Sequence, residues 1–458
     1  MSHGKIAVVA AAVRCAGADG VAEFENLLDA CRPQFCDAPA DRWPDSSVPV
    51  EGFQSSANRA YSNQMAAVAD PYALDGFAYR IPRTRLQRMD PQQRLAINVA
   101  ADLFGSGARP AEEVEQRWGV TATVLGCVST DYRGLATWKV TNDMMLGPSR
   151  EALSPGAAHE LARVENLVEN MDGHSLPGVM SNMIAGSVAS SFDLTGPAFT
   201  VDAACASSLS AVDVGCLLLR SGRVDSCIAG GVYLALTPEI LVGFSGIGAV
   251  SPSGRCLPFE QAADGFVLGE GAGMVLLRRL EDAVADGDDI WCVIDAVGSS
   301  NDGRAPGVMT PTREGQVRAI DDAWRQAGLP DRRIDAIEAH GTGTVVGDAI
   351  ELDAVSQALV NPDRPVPIGS LKAIIGHTMS ASAVLSLVKV ALALRRGTWF
   401  PQPPPKAEWN DHLDTTAFYV PTGFGRHDPV RRVVLNSFGF GGTNYHAICS
   451  SPEADDAA

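Results

Sequence analysis

No CxxC pair and no regular cysteine framework occur among the ten cysteines of this 458-residue chain. That absence removes the disulfide-scaffold class and predicts reduced thiols in a cytoplasmic setting. Positive charge is also short. Lys and Arg number 36 against 54 Asp and Glu, for a formal net charge of -18 and a pI near 4.8. Such a balance argues against a nucleic-acid or anionic-membrane surface. Long apolar runs are missing too. The most membrane-like segment, Ala381–Leu394, falls short of about 20 apolar residues and contains Lys389, so it reads as a buried helix and no membrane span is expected. Met1–Lys5 is polar and the apolar run that follows is strand-like, so no secretory signal is expected.

What is present is globular: 46% hydrophobic and 20% charged residues, enough for a large core. No internal linker or low-complexity run interrupts it. Pro401, Pro403, Pro404 and Pro405 read as a stiff extended loop, and Ser451–Ala458 as a small acidic tail without order. β-rich runs fall at Lys5–Val13, Val120–Val128, Phe199–Val201, Ser226–Ala235, Met274–Leu277, Trp291–Val297, Ile334–Ala339 and Val433–Ser437. Helical patterns lie between several of them, at Pro91–Phe104, Ala206–Arg220, Gly315–Ala327, Ala349–Leu359 and Ser380–Arg396. Runs apolar on both faces, joined by helices, predict an α/β architecture with mostly parallel sheets. The more polar segment Asp131–Leu176 reads as an insertion that forms a cap, a partner surface or part of a pocket.

Four segments carry chemistry. In Phe199–Val212 a β-rich stretch runs through small residues into a helical pattern, which puts Cys205 at a strand-to-helix junction. A helix N-terminus there favours a thiolate, and the alanines and serines around it leave room for substrate. A buried structural cysteine fits the same segment equally well. His340 follows an apolar strand and opens the loop Gly341-Thr-Gly-Thr-Val-Val-Gly-Asp348. Catalytic groups collect at such strand ends in α/β sheets, although a capped turn is the simpler reading of one histidine. His377, in Lys372-Ala-Ile-Ile-Gly-His377, follows the β-like stretch Val366–Leu371 and precedes the apolar helix. A neutral imidazole at that place can donate to a developing oxyanion, and Lys372, between apolar flanks, is expected either to pair with an acid or to orient the loop. Finally, Asn436-Ser-Phe-Gly-Phe440-Gly-Gly-Thr-Asn444 is a Gly-rich loop after a strand, able to offer backbone N–H groups. It lacks the dinucleotide spacing. Cys205, His340 and His377 lie 135 and 37 residues apart, too far for the short ligand pairs of a zinc site.

In this order the segments resemble the β-ketoacyl synthases, the condensing enzymes of fatty-acid and polyketide assembly, in the thiolase-like superfamily. Gly4–Val9, Ala38–Trp43, Met89–Leu95 and Pro258–Gly273 extend the resemblance over nearly the whole chain. It implies two pseudo-twofold halves in a five-layered α-β-α-β-α sandwich, here divided as 1–265 with the nucleophile and 266–450 with both histidines and the Gly/Phe loop. It implies a homodimer. It also implies that Cys205 holds the acyl chain, and that His340 and His377 promote decarboxylation of a malonyl-type thioester, with Lys372 in support. The N–H groups of Cys205 and Phe440 form the oxyanion hole, and the Phe440 ring is the gate. No cofactor or metal is called for, because substrates ride on the phosphopantetheine of an acyl carrier protein. With no carrier sequence in the chain, that protein is expected in trans. Two departures stand out. Asp202-Ala-Ala-Cys205-Ala-Ser-Ser replaces the common Asp-Thr-Ala-Cys-Ser-Ser-Ser and looks more like polyunsaturated-fatty-acid-type synthases. Ala373-Ile-Ile replaces polar residues beside His377, which leaves open a non-elongating acyltransferase that moves chains without decarboxylation.

Overall fold

The computed structural model describes residues 4–43, 58–105, 111–128, 130–307, 309–359, 364–424 and 429–453. The last five residues of the expected acidic tail lie outside the described residues.

One five-strand pattern occurs twice. In the first repeat the chain-order strands are Ile6–Cys15, Thr121–Gly126, Ala198–Val201, Ser226–Tyr233 and Gly271–Arg279, arranged in space as third, second, fourth, fifth and first. The second repeat uses Cys292–Asn301, Ala336–Glu338, Val366–Gly369, Arg432–Gly439 and Thr443–Ser450 in the same spatial order, with Phe418–Tyr419 added at its edge. In both, the second, third and fourth strands run parallel, and the fifth pairs antiparallel with the fourth and the first. The sheets are therefore mixed, not mostly parallel as the apolar runs suggested. The antiparallel strands are buried on both faces and read from sequence like parallel ones. The repeats meet where Ile6–Val8 pairs with Cys292–Ile294. Their junction thus falls between Arg279 and Cys292, later than the division at residue 265 drawn from sequence.

Five layers follow from what each sheet face must bury. Helices Ser207–Arg220 and Ser382–Arg396 occupy the middle and pack on each other and on strands of the repeats. Pro91–Leu103 and Asn182–Phe192 cover the outer face of the first sheet, and Arg313–Ala327 with Val345–Ala358 the outer face of the second. Three hydrophobic clusters fill the spaces between these layers. The Ser382–Arg396 helix is buried from Ser382 to Leu394, as its composition predicts, and ends at Gly397 with φ 68°. Among the described residues no helix is long and apolar enough to cross a membrane.

The segment from Asp131 to Glu165 is largely helical. It forms the helix Asp131–Leu146, a 3-10 turn Gly147–Ala152 and the helix Pro155–Glu165. Its first helix lines a cavity of about 680 Å³ through Arg133, Thr137, Trp138 and Thr141, opposite Ser181, Thr200 and Asp202. The pocket alternative for this segment is therefore met.

Candidate active site

The chain places its candidate site residues by repeating one geometric device. Three parallel strands of the second repeat, and one of the first, end at the same place. Cys205 follows Ala198–Val201, His340 follows Ala336–Glu338, His377 follows Val366–Gly369, and Phe440 follows Arg432–Gly439. All four residues line a single cavity of about 420 Å³.

Cys205 sits on a strained turn. Ala204, just before it, has φ 52°, a left-handed conformation that costs a non-glycine residue about 1–2 kcal/mol. Ser207 opens the helix and holds the turn: its Oγ donates to Ala204 O at 2.6 Å and accepts from Ala203 N at 2.9 Å. Ser437 donates to Cys205 O at 3.3 Å, and Ser208 Oγ accepts from Val384 N at 3.1 Å. That last bond ties the start of the nucleophile helix to the start of the other central helix. Burial pushes the Cys205 thiol up to about 11, while the nearby Lys372 ammonium and the backbone N–H groups of Phe440 and Cys205 pull it down. The thiolate expected from the helix terminus alone is thus outweighed by desolvation. The same two N–H groups lie beside the Cys205 sulfur.

Glu351 positions His340. Its two oxygens accept His340 N at 2.8 Å and Gly341 N at 2.7 Å, and Asn436 Nδ2 donates to the first at 2.9 Å. Asp348, one helical turn earlier, accepts Gly343 N at 3.1 Å and Phe259 N at 2.8 Å. The Gly/Thr loop is therefore wound around the N-terminal turns of the helix Val345–Ala358, where carboxylates meet unpaired N–H groups. His377 is held by a short parallel bridge: its N donates to Val267 O at 2.7 Å and its O accepts Gly269 N at 2.9 Å. Gly376 makes that approach possible, since a Cβ there would lie 2.6 Å from Val267 O.

The two imidazoles belong to a continuous series of rings. Phe440 meets Phe244 at 5.6 Å, Phe244 meets Phe266 at 5.2 Å, and Phe266 meets His377 at 5.3 Å. His377 meets His340 at 5.5 Å, and His340 meets Phe438 at 5.5 Å. This apolar wall desolvates both histidines. Their pKa values fall well below the ordinary one, chiefly by burial and then by the Lys372 charge, so at neutral pH each is a neutral donor. Among the described residues, the buried Nδ1 atoms of both rings have no hydrogen-bond partner.

Lys372 is 3% exposed and begins the short turn Lys372–Ile375. The replaced residues Ala373, Ile374 and Ile375 are buried, the two isoleucines in the central hydrophobic cluster. Sequence reasoning missed Phe244, Phe266 and Phe438 as lining, and Asp302 as a brace. Asp302 directly follows the strand Cys292–Asn301 with no distinguishing pattern, yet its N–H donates to Gly442 O at 2.8 Å, and its carboxylate accepts Asn444 Nδ2 at 2.9 Å and Thr312 Oγ1 at 2.7 Å. Among the described residues no group of three His, Cys, Asp or Glu side chains is arranged to hold a metal ion.

Residues 3–283 match the family model described as Beta-ketoacyl synthase, N-terminal domain, and residues 291–404 the corresponding C-terminal domain. A phenolphthiocerol/phthiocerol polyketide synthase protein of Mycobacterium tuberculosis is 34% identical over 97% of this chain and 27% of its own length. A reducing polyketide synthase of Aspergillus oryzae is 36% identical over 82% of this chain and 15% of its own. The chain thus spans about a quarter or less of the length of these curated relatives. Among solved structures, an oxazolomycin ketosynthase domain of Streptomyces albus superposes with a TM-score of 0.82 at 27% identity, covering 98% of this chain and 75% of that one. The ketosynthase from module 6 of the bacillaene synthase of Bacillus subtilis gives 0.81 at 28%, covering 98% and 72%.

Proposed function

The chain belongs to the β-ketoacyl synthase family, whose ketosynthase domains are condensing acyltransferases, and from that premise we propose that it performs decarboxylative Claisen condensation. One acyl chain is carried on Cys205 and the other substrate is a malonyl-type thioester on an acyl carrier protein. One observation carries the reading. Cys205, the Phe440 loop and two neutral imidazoles share one cavity.

In the first half-reaction Cys205 Sγ attacks the carrier-bound thioester. The carbonyl oxygen becomes negative between the N–H groups of Cys205 and Phe440. Collapse expels the pantetheine thiol, which takes up the proton that the Cys205 thiol gave up. In the second, the malonyl carboxylate leaves as CO2, and its electron pair forms an enolate whose oxygen accepts hydrogen bonds from His340 and His377. The enolate carbon attacks the Cys205 thioester. Collapse then releases Cys205 as a thiolate, which takes up one proton from solvent, and the β-ketoacyl chain remains on the carrier. Neutral imidazoles suit this role because they donate without bringing a second full charge beside Lys372.

The proposal takes the carrier as a separate protein acting in trans, the enzyme as a homodimer and the cytoplasm as its setting. Its test is incubation with acyl- and malonyl-carrier protein. Intact mass should show Cys205 acylated, CO2 should be released, and a ketoacyl carrier should form. Absence of both acylation and product across a donor panel would sink the reading. Acylation without CO2 release would replace it with chain transfer alone.

A further inference from the structure

Beneath the two histidine loops lies a buried ion pair that the condensation mechanism above does not use. Glu338, the last residue of the strand leading to His340, is fully buried, and Lys389 on the helix Ser382–Arg396 is 3% exposed at its side chain. Lys389 Nζ lies 2.5 Å from Glu338 Oε2. The other carboxylate oxygen accepts Leu371 N at 2.8 Å and Ser386 Oγ at 2.9 Å. Leu371 immediately precedes Lys372. One carboxylate therefore joins the strand before His340, the turn that carries Lys372 and the central helix. Ser370 strengthens the joint: its Oγ donates to Gly341 O at 2.8 Å and its N–H donates to Gln402 Oε1 at 3.0 Å. On its other side the Lys389 ammonium lies 4.8 Å from the Trp399 ring centre.

A buried pair of this kind is a weak device for stability alone, so its place between the catalytic loops asks for another reason. Lys372 is the cation that acts on His340, His377 and Cys205 together. The acidic groups facing Lys372 are Glu338 from the strand, Glu351 from the helix Val345–Ala358, and the thiols Cys256 and Cys205. Asp202 also faces Cys205. Within this set, Glu338 is the carboxylate with a second cation at hydrogen-bond distance.

We propose that Lys389 is a positioning residue of the catalytic centre: by holding Glu338 it neutralises that carboxylate and leaves the Lys372 charge directed at the two imidazoles and at Cys205. Without Lys389, Glu338 becomes an uncompensated buried anion and draws on Lys372 instead. This rests on the reading of Cys205 and the two histidines as the reacting groups. Its test is independent of any acyl substrate.

The experiment follows alkylation of Cys205 by iodoacetamide against pH, by peptide mass spectrometry, in the full chain. In Lys389→Met the extra negative charge disfavours the thiolate, so the profile should move to higher pH. In Glu338→Gln the extra positive charge favours it, so the profile should move to lower pH. Glu338→Gln/Lys389→Met removes both charges and should restore the profile of the unsubstituted protein. Lys389→Arg should leave it in place. Removing one partner of a buried pair is strongly destabilising. If Lys389→Met does not fold, Glu338→Gln and the double variant still test the sign and the cancellation. Shifts of one sign in both single variants, or none in a folded variant, overturn the proposal. Correct shifts in a protein that forms no ketoacyl product would leave it standing and sink the condensation reading instead.

Discussion

The rings of His340 and His377 stand 5.5 Å apart, centre to centre, with their planes at 86°. At that angle the two rings meet edge to face and are not stacked. Both histidines are held well below their ordinary pKa, first by burial. A group with a lowered pKa keeps its neutral form down to more acidic pH, so decarboxylation should show no acid limb near pH 6.5, the ordinary histidine value. A pH–rate profile of CO2 release from malonyl-carrier protein checks this. A limb at that pH would mean that one imidazole must titrate normally.

Replacing either histidine by alanine should lower CO2 release by about 10²–10³-fold, the usual cost of one donor to a developing oxyanion. Acylation of Cys205 should persist, because the proposed function assigns that step to the N–H groups of Cys205 and Phe440. Single-turnover measurement of both steps separates the two. Equal loss of both would place the histidines in acyl transfer as well.

Cys205 itself should behave as a thiol at neutral pH. Burial raises its pKa above the ordinary 9.0 to about 11, so the thiolate fraction, and with it alkylation, should keep growing as pH rises beyond 9. A Cys205 profile that is flat above pH 8 would show that the resting residue is already a thiolate.

Much of this is legible in the sequence. Cys205, His340, His377 and Phe440 each follow an apolar run, and strand ends are where α/β sheets gather their chemistry. Lys372 is legible because its flanks are apolar. What stays hidden has one cause: it depends on pairings between distant segments. The strand Thr443–Ser450 alternates little and continues a Gly-rich stretch, so its sequence reads as loop. Asp302 and Asn444 are 142 residues apart, and nothing in either local pattern announces the bond between them. Glu338 and Lys389 each have a local meaning, one as the end of a strand and one as a charge in an apolar helix, and neither pattern pairs them. At Cys205 burial, a tertiary property, raises the pKa more than Lys372 and the neighbouring backbone N–H groups lower it.

Asp302 offers a test of the Phe440 loop. It grips that loop through Gly442 O and Asn444, and the loop supplies one of the two N–H groups facing Cys205 Sγ. Asp302→Ala should slow Cys205 acylation by about 10-fold or more, since small misplacements of a donor are costly. Its effect should not add fully to that of Asn444→Ala, because both remove the same bond. Full additivity would mean that each residue acts elsewhere.

The mouth of the cavity predicts how the substrate arrives. Ile247, Met309, Val345, Val346 and Phe440 line it while remaining 45–61% exposed. Exposed apolar side chains gathered at one opening are suited to a contact surface, and under the proposed function a carrier whose arm enters this cavity would rest on it. A charge placed there should weaken docking without touching the chemistry below. Val345→Asp with Val346→Asp should therefore raise KM for the acyl-carrier substrate several-fold and leave kcat nearly unchanged. The same acyl group on a short N-acetylcysteamine thioester, which has no protein to dock, should show no change in kcat/KM. That contrast is the decisive measurement. Equal losses with both substrates would place Val345 and Val346 in the passage to Cys205 instead of on the docking rim, and would move the carrier contact to another face of the chain.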